Sequence, residues 1–413
     1  MLRNIIFWIT QKRWFLFSVL IGLLLFHLET PADLSLEGYR TLIIVIMTII
    51  LIIFEPIPLP AVALLILVLE VVFGIATADE AATSFMSDAV FFIMGSLMLA
   101  VAIISQGLDA RLALAIIRVT GNTTWNIVVG FVVISAFLSS FIGEHTVAAL
   151  MLPIAMTLIR NTSSQPEKVK NLSALLLFSI AYGSLVGSIG TPSGGGRNAI
   201  MLSYFKDFNL SISYLDWIIL VYPLILIMLP ILILILWRSF KPEYDLLDSG
   251  VRKLVVHVAK SGKMKVEQWM TIGIFILVFL GWILFSESMG LGIIALIGVL
   301  LYLVTGIVNW SDLSRNTNWG VVILFGATIS LGYNIKYSGA ASWLADSFFN
   351  LFGNLIESVP IFTDFMVVIT TTIMANVLSS SATVAVLGPI TTQLGSDTIH
   401  LGLITAIASS FGY

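Results

Sequence analysis

In a 413-residue chain that is 58% hydrophobic and only 10% charged, three short stretches set polar or charged groups inside apolar runs, where they could do ionic chemistry. The first is "FIGEHTVAALMLP", residues 141–153, where Glu144 and His145 stand side by side in an apolar run. A carboxylate in such surroundings has three uses: ligating a sodium ion, carrying a coupled proton, or neutralising a nearby cation. His145 is able to donate a hydrogen bond to an anion or to titrate near neutral pH. Capping is the plainer explanation, because an acid at a helix start is stabilising by itself.

The second stretch is "YGSLVGSIGTPSGGGRNAI", residues 182–200. Five glycines and a proline fall between Gly187 and Arg197. They break a helix and free backbone N–H and C=O groups, for which a bound ion or substrate is one partner. An ordinary turn outside the membrane is the alternative. Arg197 offers a planar fork of donors suited to a carboxylate or sulfate; snorkelling, or an ion pair with Glu144, would explain it structurally. The third stretch is "SSSAT", Ser379 to Thr383. Its hydroxyls and the free N–H groups of a helix start form a small anion cradle, or simply a capped turn.

Other chemistries lack their residues. The chain has no cysteine, which excludes disulfides, thiolate metal sites and cysteine nucleophiles. Its four histidines, His27, His145, His257 and His400, accompany no nucleophile elbow, Walker loop or HExxH pattern. No enzymatic activity and no organic cofactor are expected. A net charge of −3 without a basic stripe gives no reason to expect nucleic acid.

The elements that must position these groups are membrane helices. Runs such as "TLIIVIMTIILIIFEPIPLPAVALLILVLEVVFGIA" exceed the roughly 20 apolar residues that cross a bilayer, so an all-α polytopic membrane protein is predicted. Lys12 and Arg13 precede a long apolar run, which reads as an anchor and not as a removed signal peptide. Apolar segments ending at Phe141 and Leu378 are each followed at once by another, the pattern of re-entrant hairpins. Most of the 20 basic residues fall on one side if the N-terminus is cytoplasmic, in a multi-pass protein of the cell's plasma (inner) membrane.

The halves also repeat. Gly95 and Gly326, Gly107 and Gly339, and Pro153 and Pro389 are separated by 231, 232 and 236 residues, and with the charge pattern this predicts inverted-topology repeats around a midplane site. The expected organisation is N-terminal scaffold helices over 1–122 and a first hairpin with the broken helix over 123–238. A cytoplasmic linker over 239–267, second scaffold helices over 268–358 and a second hairpin over 359–413 complete it. By that symmetry Tyr413 reads as a stop inside a membrane helix, with a second glycine-rich break expected beyond it.

From about Asp88 to its end, apart from the linker, the chain resembles the divalent anion–sodium symporter family, carriers of dicarboxylates, citrate and sulfate; the similarity is weaker before Asp88. The family's hairpin tips commonly read Ser-Asn-Thr, and here Gly143, Glu144 and His145 take the first tip and Ser379, Ser380 and Ser381 the second. The family's Gly-Thr break with its asparagine matches Gly190, Thr191 and Asn198, and Ser139 matches a sodium-site serine. The resemblance implies an elevator-type dimer with a scaffold and a transport domain. It implies substrate contacts from Glu144, His145, Thr191, Arg197, Asn198, Ser379, Ser380, Ser381 and Thr383. It implies sodium contacts from Ser139, Gly143, Glu144, Gly190, Asn198 and Ser380. The departures are specific: Glu144 and Ser380 replace the tip asparagines, His145 replaces a threonine, and Arg197 is extra.

The function expected is secondary transport of a small anion (a di- or tricarboxylate, or sulfate), sodium-coupled, within the bilayer and as a homodimer. The alternatives are a proton-coupled or exchange carrier, a cation or metalloid transporter of similar architecture, and a channel or scaffold without coupling.

Overall fold

The computed structural model describes residues 12–108, 111, 119–210, 212–259, 263–359, 361–395 and 397–412. Part of the first repeated stretch, residues 109, 110 and 112–118, lies outside them. Within the described residues the chain is helical, with one isolated β-bridge, Thr123 with Leu246. The helices are α1 (Arg13–Phe26), α2 (Leu36–Phe54), α3 (Leu59–Val72), α4 (Ala78–Phe85), α5 (Asp88–Ser105), α6 (Thr124–Ile142), α7 (Glu144–Thr162), α8 (Lys170–Ser188), α9 (Gly196–Asp207) and α10 (Tyr214–Ser239). They continue as α11 (Asp248–Ala259), α12 (Val266–Met289), α13 (Leu291–Val304), α14 (Trp310–Asn316), α15 (Trp319–Tyr337), α16 (Ala340–Ser358), α17 (Phe362–Val377), α18 (Ser380–Thr391) and α19 (Thr398–Ala408).

Among the described residues seven helical spans are long and apolar enough to cross a membrane, α2, α5, α6, Pro166–Ser188, α10, α12 and α15. Their environments differ. Only 17% of the most apolar window of α10 is buried, against 67% for α15, so α10 turns its side chains outward, where lipid rewards them, while α15 is wrapped by protein. Pro223 and Pro230 lie inside α10 without ending it, as membrane helices tolerate. Local signals set the helix starts: Ser35 caps α2 through Gly38 N, and Thr77 with Glu80, and Ser213 with Asp216, form capping boxes for α4 and α10.

The chain divides into two compact units. One comprises Met1–Val90, Ala199–Ser211 and Asn318–Tyr413. Its core joins α2, α3, α15 and α18 through Ile44, Leu51, Ile66, Leu331 and Val386. The other comprises Phe91–Asn198 and Ile212–Thr317. Its core joins α6, α7, α8, α10 and α11 through Phe131, Met151, Leu176, Leu236 and Leu254.

The stretch 239–267, expected to be a polar linker, contains α11. Leu247 and Leu254, seven residues apart, are buried against the core of α6–α8 while Val256 is exposed, an apolar stripe that sequence polarity hides. The Thr124 amide donates to Asp245 O at 2.9 Å and the Leu247 amide to Asn122 O at 2.9 Å, which pins the segment to the start of α6. A second difference is α16, a helix where no apolar segment was expected.

Candidate functional site

The first tip is built on a seam between α6 and α8. Gly183 and Gly187 lie one turn apart on α8, and a Cβ on Gly187 would fall on Ala136 O, well inside contact distance. Small residues at this spacing let two helix backbones touch. At that separation Ser139 Oγ donates to Ser184 O at 2.7 Å and Ser140 Oγ to Gly187 O at 2.8 Å. α6 then ends at Gly143, whose φ of +80° and ψ of 151° are open to glycine alone. The chain turns there and α7 starts at Glu144.

Glu144 is met by Arg197. Arg197 Nη1 donates to Glu144 Oε1 at 3.2 Å and Nη2 to Oε2 at 3.0 Å, a fork-to-fork pair. Nη2 also donates to Ser188 Oγ. The Arg197 side chain is 1% exposed and that of Glu144 12%, so this is a buried pair whose partners are mutually required. The sequence left several uses open for both residues; among the described residues they neutralise each other. His145 is a different case. Its side chain is 94% exposed and Nε2 stands 3.9 Å from Glu144 Oε1, so it takes no part in the buried cluster.

The glycine-rich break is largely satisfied by the protein itself. Trp217 Nε1 donates to Ile189 O at 2.9 Å. Asn198 Nδ2 donates to Ser188 O at 2.8 Å and to Thr191 O at 2.7 Å. Thr191 Oγ1 donates to Ser140 O and accepts from Tyr214 Oη at 3.0 Å, and Tyr214 Oη lies 2.7 Å from Ser193 Oγ. Gly190 packs where a Cβ would meet Ile225 Cδ1 and Ser140 Oγ. The freed carbonyls anticipated from the sequence therefore find side-chain donors, because α10 brings an indole and a phenol against the break. Two buried atoms lack a partner, Arg197 Nε and Asn198 Oδ1.

Asn198 Oδ1 is an acceptor with no donor. A Cβ on Gly194 would crowd Ser188 O and Ser139 O, so carbonyl oxygens from α6 and α8 converge on the same break. Ser188 O already accepts from Asn198 Nδ2 and Ser139 O from the Gly143 amide, which leaves Asn198 Oδ1 as the oxygen without a donor here; such an oxygen at an unwound helix suits a hard monovalent cation. Sequence reasoning missed Ser140, Ser188, Ser193, Tyr214 and Trp217. Ser188 was legible as a hydroxyl inside the break; Tyr214 and Trp217 were not, since only tertiary contact brings them there. Beside this hairpin is a cavity of about 540 Å³ lined by Phe137, Phe141, Leu150, Phe275 and Phe279 among others. Its lining is mainly apolar, with Arg111 and Thr271 among the lining residues.

The second tip belongs to the other unit. α17 ends before Leu378, and Ser379 caps α18, its Oγ accepting from Ala382 N at 3.3 Å. The capping expected as an alternative for Ser379 is present. Ser380 and Thr383, three residues apart on one face, are buried with hydroxyls that lack a hydrogen-bond partner, and Ser381 is half-buried. Unpaired hydroxyls over a helix N-terminus fit an anion.

Known proteins resemble this chain along most of its length. It is 28% identical over 410 residues to the sodium-dependent dicarboxylate transporter SdcS of Staphylococcus saprophyticus, spanning 92% of this chain and 78% of the relative. The SdcS of Staphylococcus aureus is 28% identical over 420 residues, 95% of this chain and 80% of the relative. An uncharacterised transporter of Haemophilus influenzae is 29% identical over 361 residues, 84% and 75%. The profile of the sodium:sulfate symporter transmembrane region matches residues 10–412. With its apolar spans, hairpin-forming helix pair and broken helix, the chain belongs to the sodium:sulfate symporter transmembrane family.

Proposed function

We propose that the protein is a secondary transporter that moves a small anion, a di- or tricarboxylate or sulfate, together with sodium. The observation that carries this reading is Asn198. Its Nδ2 ties two carbonyls of the break while its buried Oδ1 has no donor, the arrangement an oxygen-liganded cation needs. Sodium is held by Asn198 with Ser139, Gly143 and Gly190 around the break. Glu144 contributes its charge by holding Arg197, and Arg197 fastens the tip of α7 to the break. Ser379, Ser380, Ser381 and Thr383, at the second tip, receive the anion.

In this reading residues 123–238 and 359–413 form the moving part, and 1–122 with 268–358 the scaffold. The halves are inverted repeats, the N-terminus is cytoplasmic, and the protein works as a homodimer by an elevator motion. The names of the relatives support a sodium-dependent dicarboxylate or sulfate carrier.

Glu144 favours a second reading. It stands where the family pattern has a neutral asparagine, so proton-coupled or exchange transport would use its carboxylate. Uptake into proteoliposomes separates the two. Labelled succinate, citrate and sulfate are offered with an inward sodium gradient, with potassium instead, and with a pH gradient alone. Accumulation that needs sodium supports symport. Accumulation driven by the pH gradient without sodium would replace it with the second reading, and no accumulation or counterflow of any anion would sink both.

A further inference from the structure

Glu70 is fully buried on α3. Its Oε2 accepts from Ser330 Oγ on α15 at 2.7 Å. Ser330 Oγ lies 2.8 Å from Ser84 Oγ on α4, and Asn334, one turn along α15, lies beside the same carboxyl. Glu70 Oε1 is buried without a hydrogen-bond partner. Among the described residues no lysine, arginine or histidine pairs with it. All these residues belong to one compact unit.

The charged and titratable groups of the neighbouring elements are engaged elsewhere or face away. On α15, Lys336 donates to Asp207 O and lies over the Phe208 ring, while Tyr333 and Tyr337 stack on each other. On α2, Arg40 donates to Phe73 O at 2.7 Å, Tyr39 to Leu25 O at 2.7 Å, and Glu37 is exposed. Lys12, before α1, donates to Pro56 O at 2.7 Å, and Arg13 lies over the Trp14 ring. On α4, Glu80 caps Thr77 and Asp79 is exposed; α18 has no charged residue.

An ionised carboxylate here would have only neutral groups beside it, the Ser330 hydroxyl and the Asn334 amide, in a seam of Val62, Ile66 and Leu331. Burying such a charge unpaired is far costlier than leaving one uncharged oxygen without a donor. We propose that Glu70 is a proton-binding site, held as the neutral acid and loaded through the hydroxyls of Ser84 and Ser330. Ser84 is half-buried, on a helix whose Asp79 and Glu80 are exposed, so water reaches the outer end of this chain.

The transfer balances. Ser84 Oγ takes a proton from a hydronium ion of the solvent, leaving water, and passes its own to Ser330 Oγ, and Ser330 passes its own to Glu70 Oε2. Both hydroxyls end as hydroxyls and the carboxylate ends as the acid. Oε2 then donates to Ser330 Oγ across the same contact with the direction reversed, and Oε1 becomes an uncharged carbonyl oxygen. The inference concerns a group that the transport reading does not use and stands without it.

Infrared spectroscopy of the full chain, labelled with carboxyl-¹³C glutamate, tests it. From about pH 6 to pH 8 an ordinary glutamate is ionised, so a ¹³C-sensitive carboxylic-acid C=O band in that range reports a protonated buried group. The expected result is such a band in the wild type, lost in Glu70→Gln. In Ser330→Ala the band remains but its deuterium shift develops several-fold more slowly. A wild type without the band, or a band unchanged in Glu70→Gln, overturns the site. Unchanged exchange in Ser330→Ala overturns the path. If Glu70→Gln does not fold, the wild-type spectrum and the Ser330→Ala exchange rate still decide.

Discussion

A guanidinium that is 1% exposed tolerates almost no error in its surroundings, and this governs what substitutions around Arg197 will do. Arg197→Met leaves Glu144 as an unpaired, nearly buried carboxylate; Glu144→Leu leaves an unpaired buried cation. Each single change is expected to cost about 3–5 kcal/mol, whereas the double variant removes both charges and is expected to cost much less. Denaturant or thermal unfolding in detergent measures all three. If the double variant is as unstable as the sum of the singles, the pair is not a closed unit and one member has another obligatory partner. Gly143 is a residue-scale case of a different kind. With φ at +80° and ψ at 151°, an alanine there is strained by its own backbone, so Gly143→Ala is expected to lose roughly 1–3 kcal/mol. The nearest atom to the added Cβ is Gly194 O at 3.7 Å, so a crowding explanation is excluded. Stability unchanged in Gly143→Ala would mean that the tip turn rearranges freely.

Helix contacts set the next scale, and two glycines in membrane helices separate packing from propensity. Gly187 on α8 touches the backbone of α6, and an added Cβ would fall on Ala136 O. Gly273 on α12 has nothing within 4 Å. Gly187→Ala is therefore expected to cost about 1–3 kcal/mol, because backbone cannot step aside, while Gly273→Ala is neutral or gains up to about 1 kcal/mol. Equal effects in thermal unfolding would show that the α6–α8 seam is looser than its geometry. The start of α8 gives a pH prediction. The Glu243 carboxylate accepts from Asn171 N at 2.7 Å and Leu172 N at 2.9 Å. Slight burial acts to raise its pKa, but these amide donors outweigh it and hold the group below its ordinary 4.5. A depressed pKa means that the folded state binds this proton less readily than the unfolded one. The contribution is thus fully present above about 4.5 and is lost as pH falls through the lower folded value. Glu243→Gln should be less stable than wild type at neutral pH, and the gap should close in acid. A gap constant across pH would show that the carboxylate's charge contributes nothing to the cap.

At the scale of the whole molecule, hydropathy was enough for an all-helical chain with membrane-length apolar spans and for the helix breaks at Gly143 and Leu378, because bilayer thickness imposes a length that composition displays. Polarity misled over α11, where buried Leu254, with Leu247 just before the helix, is outnumbered by charges, and over α16, which is helical without being apolar enough to read as a span. At the first tip the sequence named Glu144, Arg197 and Asn198 but left the pairing between them open. Nor did it foresee Trp217 and Tyr214 closing the break, since neither has a spacing relation to it. That distinction bears on how the whole protein should respond to sodium. Trp217 and Asn198 donate to carbonyls of the break and Tyr214 to the Thr191 hydroxyl, so the protein itself braces the break and sodium is expected to add chiefly its own binding energy. Stability should then rise smoothly with sodium concentration, by about 2.7 kcal/mol at a hundred times the dissociation constant. Choline at equal ionic strength should not reproduce the rise, since screening is common to both salts. In Asn198→Ala the baseline falls because two carbonyls lose their donor, so the informative quantity is the increment from choline to sodium, which should vanish. An increment that survives in Asn198→Ala would remove Asn198 from the sodium site and leave the ion to be held by oxygens elsewhere in the chain.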